Sequence, residues 1–287
     1  MATNFPSSLD SFTNPTAVDT LDSPPHDTQH ADANDAIEAL QAKVGVDGSA
    51  VTTSIDYQLN TGYRYHSTVY FTSSGTFTKA SYPWLRAVRV KVQGAGGGGG
   101  SGARTSGSFG NNHGAAGGAG GYAERFITDI AGLAASETVT VGSGGAAGAN
   151  PNTSDVHNVG SNGGNSSAFG LTGTGGQGGN NAVIANCCDF VAHGGEPSGT
   201  YDFGVNGECG NYRRQNLTRE QLNGAKDYVV GGVSYLSGPS RGLNNNGGAI
   251  NGSGYGYGGN PGKRTSSGTG VPGLNGGDGV VIVELYA

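Results

Sequence analysis

Long glycine tracts interrupt this chain and limit what it can fold into more than any other feature. Glycine accounts for 57 of the 287 residues, against a usual share of about 7%. Glycine loses more conformational entropy on ordering than any other residue, so the tracts must gain contacts that side chains would prevent. Close packing of extended, threefold backbone helices is one such gain. Tight turns that present loop tips are another.

Strand sequences separate the tracts, which favours a folded β domain over a disordered one. The tracts cover residues 94–121, 142–179 and 231–277. The sequence predicts strands at residues 69–72, 75–78, 84–92, 122–130, 137–141 and 279–286. Val88, Val90 and Val92 alternate with polar residues, the period-two pattern of a half-buried strand. This strand and the terminal one are the most apolar, so we expect them to be neighbours in one sheet.

One convincing helix, residues 27–45, precedes the β domain. Asp27 is expected to cap its start, and Gly45 to end it in a left-handed conformation. The residues at 3-4-3-4 spacing, as in the a and d positions of a coiled coil, are His30, Ala33, Ile37, Leu40 and Val44. A helix of this length is marginal alone in water. We therefore expect a homo-oligomer, with packing on another part of the chain as the alternative.

The chain is predicted to be mostly β and to have four parts. These are an extended arm at residues 1–26, the helix at 27–45, a connector at 46–66 and the glycine-rich β domain at 67–287. The arm contains four isolated apolar residues that could dock on a partner, unless it is an unattached tail: Phe5, Leu9, Phe12 and Leu21. The connector includes a strand-like stretch at residues 52–59. Residues 182–230 are an insertion with less glycine and a short predicted helix at 216–223.

Charge and hydropathy narrow the classes of function. The formal net charge is -6, charged residues make up 13% of the chain, and the absence of a basic stripe argues against a nucleic-acid partner. Residues 1–25 show no signal peptide, and no apolar run reaches the ~18 residues of a membrane helix. We expect a protein made in a cytoplasm and not inserted in a membrane. A surface rich in Gly, Asn, Ser and Thr suits carbohydrates, water or close backbone packing.

Residues 94–99, Gly-Ala-Gly-Gly-Gly-Gly, match G-x-G-x-x-G directly after a strand. A dinucleotide site also needs a helix that opens at the last glycine and an acidic residue about 20 positions on, and both are missing. His26 and His30 share one helix face, which suits either a metal across an oligomer axis or, as we favour, ordinary hydrogen bonds. The sequence thus predicts no cofactor and no metal site.

No arrangement of residues indicates catalysis. Four carboxylates of the insertion carry no recognisable glycosidase spacing: Asp189, Glu196, Asp202 and Glu208. No Ser-His-Asp or Cys-His set stands out. Cys187, Cys188 and Cys209 are an odd number without C-x-x-C spacing, which favours reduced thiols over zinc, with one bridge to Cys209 left open. We expect a protein that is not an enzyme.

Aromatic residues among Gly, Asn and Ser are the candidate binding groups. The candidate receptor contacts are Tyr201, Phe203, Tyr212, Tyr235, Tyr255 and Tyr257. Rigid amphipathic rings on small-residue loops are typical of adaptable binding surfaces, and such rings also stack on sugar faces. The alternative is that they fill local core positions.

Several motifs resemble, in order, the glycine-rich domain of bacteriophage tail-fibre and adhesin proteins. They cover roughly residues 68–287 and lie at 74–79, 88–99, 120–124, 139–146, 163–170 and 276–284. The segment from Asp22 to Gly45 separately resembles an N-terminal segment of phage tail and fibre proteins, the end that attaches to the particle. The insertion at 182–230 departs from the family pattern, which leaves open which loops touch a host.

The resemblance implies a virion tail fibre or minor tail protein, often a homotrimer, with packed polyglycine-II-like helices and host-facing loops. Its partners would be other virion proteins, bound through the N-terminus, and a host cell-surface glycan or protein. A capsid or tail decoration fibre with a purely structural role is the alternative, and a glycan depolymerase is a third hypothesis.

Overall fold

The chain is mostly β, and the α-helices among the described residues lie near its N-terminus. The computed structural model describes residues 20, 22, 25–102, 114–150, 158–180, 192–210, 230–238, 252–262 and 271–287. These residues belong to two compact units, one within residues 1–64 and the other within residues 65–287.

The first unit begins with helix α1, His26–Val44. The prediction that Asp27 caps this helix is wrong. Pro25 occupies the N-cap position, and it makes no side-chain cap bond. Asp27 instead lies in the first turn, where a carboxylate favours the helix dipole. Gly45 ends the helix with a φ of +86°, and its N–H donates to the carbonyl oxygen of Gln41. The predicted position of the helix end is therefore confirmed, but the ψ of 159° differs from that of the predicted left-handed conformation.

The prediction of a strand-like stretch at residues 52–59 is wrong. A second helix, α2, covers Ile55–Thr61. Ser54 stands at its N-cap, and the Ser54 hydroxyl accepts a hydrogen bond from the Tyr57 N–H at 3.2 Å. Such a cap satisfies one of the unpaired N–H groups at the start of a helix, and this local bond outweighs the β-type residues nearby.

The described part of the second unit contains ten strands and a short 3-10 turn at Lys79–Ser81. The strands are β1 Tyr65–Phe71, β2 Gly75–Thr78, β3 Ala87–Gln93, β4 Tyr122–Ile127, β5 Ser136–Val139, β6 Ser166–Ala168, β7 Leu171–Gly173, β8 Pro197–Gly199, β9 Phe203–Val205 and β10 Val280–Tyr286. The main sheet has the order β1-β10-β3-β4-β9 and is antiparallel throughout. Because β10 pairs directly with β3, the predicted neighbourhood of these two strands is confirmed.

Two smaller sheets, β2-β5 and β6-β7-β8, supply the other side of the core. The alternating residues Val88, Val90 and Val92 are fully buried, as period two predicts for the inward face of a strand. They belong to one cluster with residues of β10 and of the smaller sheets: Val281, Val283, Leu285, Phe77, Val139, Ala168 and Leu171. The hydrophobic core therefore lies between one face of the main sheet and the two smaller sheets.

Six of the ten described strands lie where the sequence predicted them, and four were not predicted. Strands β1, β2, β3, β4, β5 and β10 occur where strands were predicted, with ends shifted by a few residues. Strands β6 to β9 were not predicted, because each has three residues and shows no periodicity. The predicted helix at 216–223 and the arm residues Phe5, Leu9, Phe12 and Leu21 lie outside the described residues.

Residues 94–102 lie at the centre of a framework of glycine segments, bonded to one another through their backbones. The N–H groups of residues 94, 97 and 100 donate to backbone carbonyl oxygens of residues 114–121. The N–H groups of residues 95, 98 and 101 donate to those of residues 158–164, and the N–H groups of residues 96, 99 and 102 donate to those of residues 271–277. The carbonyl groups of the segment accept bonds from residues 145–148, 176–179 and 259–262. Successive N–H groups thus point in three directions and repeat every third residue, so that one segment bonds to six neighbours.

The framework needs glycine because its backbones approach one another too closely for side chains. A Cβ added at Gly97 would lie 2.0 Å from the carbonyl oxygen of Gln177. One added at Gly276 would lie 2.1 Å from the carbonyl oxygen of Gly96. Neither contact is sterically allowed, so the glycines at these positions are required by the packing.

Candidate binding surface

Three aromatic side chains meet at one side of the main sheet, and we call them the aromatic edge: Tyr122, Phe203 and Tyr235. The Tyr122 ring centroid lies 4.3 Å from that of Tyr235 and 6.1 Å from that of Phe203, and the latter two are 5.6 Å apart. Tyr122 is buried, whereas Phe203 is 45% and Tyr235 53% exposed. Exposed rings that rest on a buried one are held in place and still offer apolar surface to a ligand.

Asp202 fixes strand β9, which carries Phe203, to strand β4. Its carboxylate accepts a hydrogen bond from the Phe126 N–H at 2.7 Å, and its own N–H donates to the Glu124 carbonyl oxygen at 2.9 Å. Phe203 then pairs opposite Glu124 in the ladder between β4 and β9. The middle of the predicted insertion is therefore a strand of the main sheet.

Tyr235 lies on the segment at residues 230–238, which side chains and backbone groups fix to the domain. The Ser234 hydroxyl donates to the carbonyl oxygen of Tyr255, and the Ser234 N–H donates to the Ser237 hydroxyl at 2.9 Å. The N–H of Gly232 donates to the carbonyl oxygen of Gly117 within the glycine framework. The framework thus positions an aromatic residue that is distant in sequence from Tyr122.

Paired charges lie beside the aromatic edge on the outer face of the main sheet. Lys91 binds the carboxylate of Glu284. The Nε atom of Arg89 lies 3.6 Å from Oε1 of Glu124 and 4.0 Å from Oε2 of Glu284. The Arg89 guanidinium also lies over the Phe126 ring, 5.5 Å from its centroid. Two cations and two carboxylates balance one another, so this group presents hydrogen-bonding atoms without a net charge.

Two tyrosine hydroxyls are bound to these carboxylates. Tyr122 donates to Glu124 at 2.6 Å, and Tyr286 donates to Glu284 at 3.1 Å. Burial, followed by the hydrogen bond to Glu124 and its negative charge, raises the pKa of Tyr122 far above the ordinary value of 10.0. Burial and the hydrogen bond to Glu284 also raise the pKa of Tyr286. Both tyrosines therefore stay neutral donors across the physiological range.

The predicted receptor contacts within the described residues are either exposed or half-buried. Tyr201, like Phe203 and Tyr235, is exposed, at 43%. Tyr255 and Tyr257 are half-buried, and the Tyr257 ring covers Gly277, where an added Cβ would lie 2.6 Å from Cδ1. Tyr212 lies outside the described residues. Sequence reasoning missed Tyr122, although its position at the start of a predicted strand was a signal that it joins the sheet.

The G-x-G-x-x-G match at residues 94–99 is part of the glycine framework. Each N–H from residue 94 to residue 99 donates to a backbone carbonyl of a neighbouring segment. A phosphate cradle needs such N–H groups free at the start of a helix, so these residues do not form one.

The remaining titratable and thiol groups singled out by the sequence do not converge on one site among the described residues. His26 and His30 are hydrogen-bonded to each other through their Nε2 atoms at 3.1 Å, and no cluster of three or more metal-binding side chains occurs among the described residues. The carboxylates of Asp202 and Glu208 accept backbone N–H groups, while Glu196 is exposed. Cys209 is an exposed free thiol. Asp189, Cys187 and Cys188 lie outside the described residues.

Neither α1 nor α2, the helices within the described ranges, is long and apolar enough to cross a membrane.

Together these features define a class of antiparallel β domain built around glycine segments that pack backbone against backbone. Residues 72–286 match the family model of the glycine-rich domain. Because this match covers most of the chain, the protein belongs to that glycine-rich domain family. Among curated proteins, a sequence comparison found no match.

Proposed function

We propose that the protein is a homo-oligomeric bacteriophage tail fibre or minor tail protein whose glycine-rich domain binds a host cell-surface receptor. The exposure of the helical unit is the observation that supports the homo-oligomer, whereas the phage assignment rests on the sequence resemblance. The unit's large aliphatic side chains among the described residues are exposed, at 53% for Ile37, 52% for Leu40 and 45% for Val44, and so are Val46, Val51, Ile55 and Leu59. The buried residues described in this unit are the polar Asp32 and Ser54.

A unit with so many exposed apolar side chains and no apolar core among its described residues is expected to associate with other chains. The stripe of His30, Ala33, Ile37, Leu40 and Val44 is exposed along its whole length, which supports its proposed role as a coiled-coil seam. We take a homotrimer as the working hypothesis. The arm at residues 1–26, with Phe5, Leu9, Phe12 and Leu21, would then attach the oligomer to other virion proteins.

The glycine framework would be the rigid part of the fibre, with packing of the polyglycine-II type. The three-residue repeat of hydrogen bonds around residues 94–102 supports this packing, because threefold extended helices present their N–H groups in three directions. A scaffold of this kind fixes loops and edges in place without a large apolar core.

Receptor contact would fall to the aromatic edge and to Tyr201, with Tyr212, Tyr255 and Tyr257 as further candidates. Phe203 and Tyr235 are exposed rings that rest on the buried Tyr122, and the neighbouring charges balance one another. Such a surface suits a host glycan or protein that binds through ring contacts and hydrogen bonds.

Two measurements test the proposal. Immunogold labelling of intact phage particles would show the chain on the tail, and the purified full-length chain would bind host cells in a pull-down. Absence from purified particles would refute every virion hypothesis. Presence in the particle without binding to any host strain would favour a structural decoration fibre. Release of reducing sugar from host glycans would favour a depolymerase.

A further inference from the structure

Strand β1 is an edge strand that lacks most of the usual protection against pairing, apart from an irregularity at its start. Its sequence from Tyr65 to Phe71 contains no lysine, arginine, aspartate, glutamate or proline. Edge strands of monomeric proteins are commonly blunted by such residues, by bulges or by being very short. The register irregularity of β1 lies between Tyr65 and Ser67, so the strand continues in register with β10 from Ser67 to Phe71.

The other strands at sheet edges in the described structure are much shorter. Strands β9, β6 and β8 have three residues each, and β2 and β5 have four. Strand β1 has seven. Because half of the N–H and C=O groups of an edge strand point away from its single neighbour, β1 offers the longest unpaired backbone of the described sheets.

The side chains of β1 are also incompletely covered. Tyr65 is 61% and Tyr70 66% exposed. Val69 and Phe71, which pack against the core, are only partly buried. The backbone edge and the apolar side chains are thus open along the same strand, as expected of a surface that a partner covers.

We propose that the β1 edge contacts a second copy of this chain, so that the glycine-rich domains touch one another in the oligomer. This inference rests on the oligomer of the proposed function. Strand β1 begins at the residue that follows the helical unit. Copies that associate through their helices therefore bring their β1 edges to a high effective concentration. A second copy is then the partner most available to cover an edge that carries no lysine, arginine or carboxylate side chain.

The strand order places this contact away from the aromatic edge. Strands β1 and β9 are the opposite edges of the five-stranded sheet, and four inter-strand steps of roughly 4.8 Å separate them by about 19 Å. Self-association at β1 consequently leaves Phe203 and Tyr235 free for a receptor. It also provides a matched control, because Tyr70 and Tyr235 are both exposed tyrosines of the same domain.

The test is site-specific photo-cross-linking in the full-length chain. Tyr70 is replaced by the photoreactive p-benzoylphenylalanine, and Tyr65 is replaced in a second variant in case the first does not fold. Tyr235 carries the same replacement as the control. After irradiation, denaturing gels are expected to show covalent multimers for positions 65 and 70 and only background for position 235.

The molar mass of the unmodified chain, measured by light scattering, separates the two ways to fail. An oligomer without cross-links at positions 65 and 70 overturns the β1 contact and leaves helix-driven association intact. Cross-links at position 235 as strong as those at position 70 overturn the assignment to the β1 edge. A monomer overturns the proposed oligomer, and the β1 contact with it.

Discussion

The side-chain amide of Gln93 donates a 2.9 Å hydrogen bond to the carbonyl oxygen of Gly120, where β3 gives way to the glycine framework. The same Nε2 atom lies 3.2 Å from the carbonyl oxygens of Gly94 and Gly121, and Oε1 lies 3.4 Å from the N–H of Leu236. Gln93 is fully buried. One side chain therefore links the sheet, the framework and the segment that carries Leu236.

Replacing this amide is expected to destabilise the domain. Gln93→Leu removes the side-chain donor to the buried carbonyl oxygen of Gly120 and the acceptor for the Leu236 N–H, which lowers the free energy of unfolding by about 1–3 kcal/mol. Denaturant unfolding followed by tryptophan fluorescence measures the change. Gln177→Leu is the control, because Gln177 is exposed in the same domain and its side chain accepts only a long hydrogen bond, 3.4 Å from the His193 nitrogen. Equal effects of the two substitutions would contradict the role assigned to Gln93.

Alanine in place of glycine is expected to have effects that are graded by the room for a Cβ at each position. A Cβ at Gly97 would lie 2.0 Å from a backbone oxygen, one at Gly100 would lie 3.1 Å away, and one at Gly75 would lie 3.5 Å from a ring carbon of Phe71. Overpacking of a rigid interior costs about 1–3 kcal/mol or more. Melting temperatures should therefore fall most for Gly97→Ala, less for Gly100→Ala and little for Gly75→Ala. Any other order would argue against close backbone packing as the reason for the glycines.

The main sheet could be predicted from sequence because its strands carry side chains with a period. Val88, Val90 and Val92 alternate with polar residues, and the terminal strand is apolar, so their pairing followed from pattern alone. The glycine framework could not be resolved in the same way. Glycine has no side chain, so nothing in the sequence indicates that residues 94–102 bond to 114–121 rather than to any other tract.

The candidate site was predictable only in part. Phe203 and Tyr235 stood out as aromatic residues among small ones, but their convergence on Tyr122 depends on strand pairing across the predicted insertion. The strand β9 that carries Phe203 has three residues, too few for a period to appear. The helix α2 was also missed from sequence. Its residues favour strands, and the hydrogen bond at the Ser54 N-cap, which stabilises the helix, depends on one side chain.

Removing either exposed ring of the aromatic edge should weaken receptor binding. Phe203→Ala and Tyr235→Ala are each expected to cost about 2 kcal/mol, roughly 30-fold in Kd, if they are central contacts. Binding of the labelled full-length chain to host cells measures this. Val159→Ala is the control, because Val159 is 50% exposed in the same domain. Unchanged binding by both aromatic variants would remove the aromatic edge from the receptor site.

Stability should fall at alkaline pH through Tyr122. Its pKa is raised in the folded protein, so the unfolded chain releases the proton first, at about pH 10. Above that pH the unfolded state binds fewer protons, and the free energy of unfolding declines as pH rises toward the folded pKa. Thermal unfolding from pH 9 to about 11.5 should show a shallower decline for Tyr122→Phe than for the parent. Tyr63→Phe is the control, since Tyr63 is exposed. Parallel curves for all three proteins would contradict the assignment.

Polar substitution on the helix stripe should dissociate the oligomer without unfolding the glycine-rich domain. Leu40 is 52% exposed in the single chain, so in a monomer Leu40→Asn would change stability by only about 0.5 kcal/mol or less. In a coiled coil the same side chain is buried between chains, and its loss costs about 2 kcal/mol per copy. Light scattering at decreasing concentration should show dissociation of the variant where the parent and Gln41→Asn remain associated, because Gln41 lies off the stripe. If Leu40→Asn and its parent have the same mass at every concentration, the stripe is not the seam.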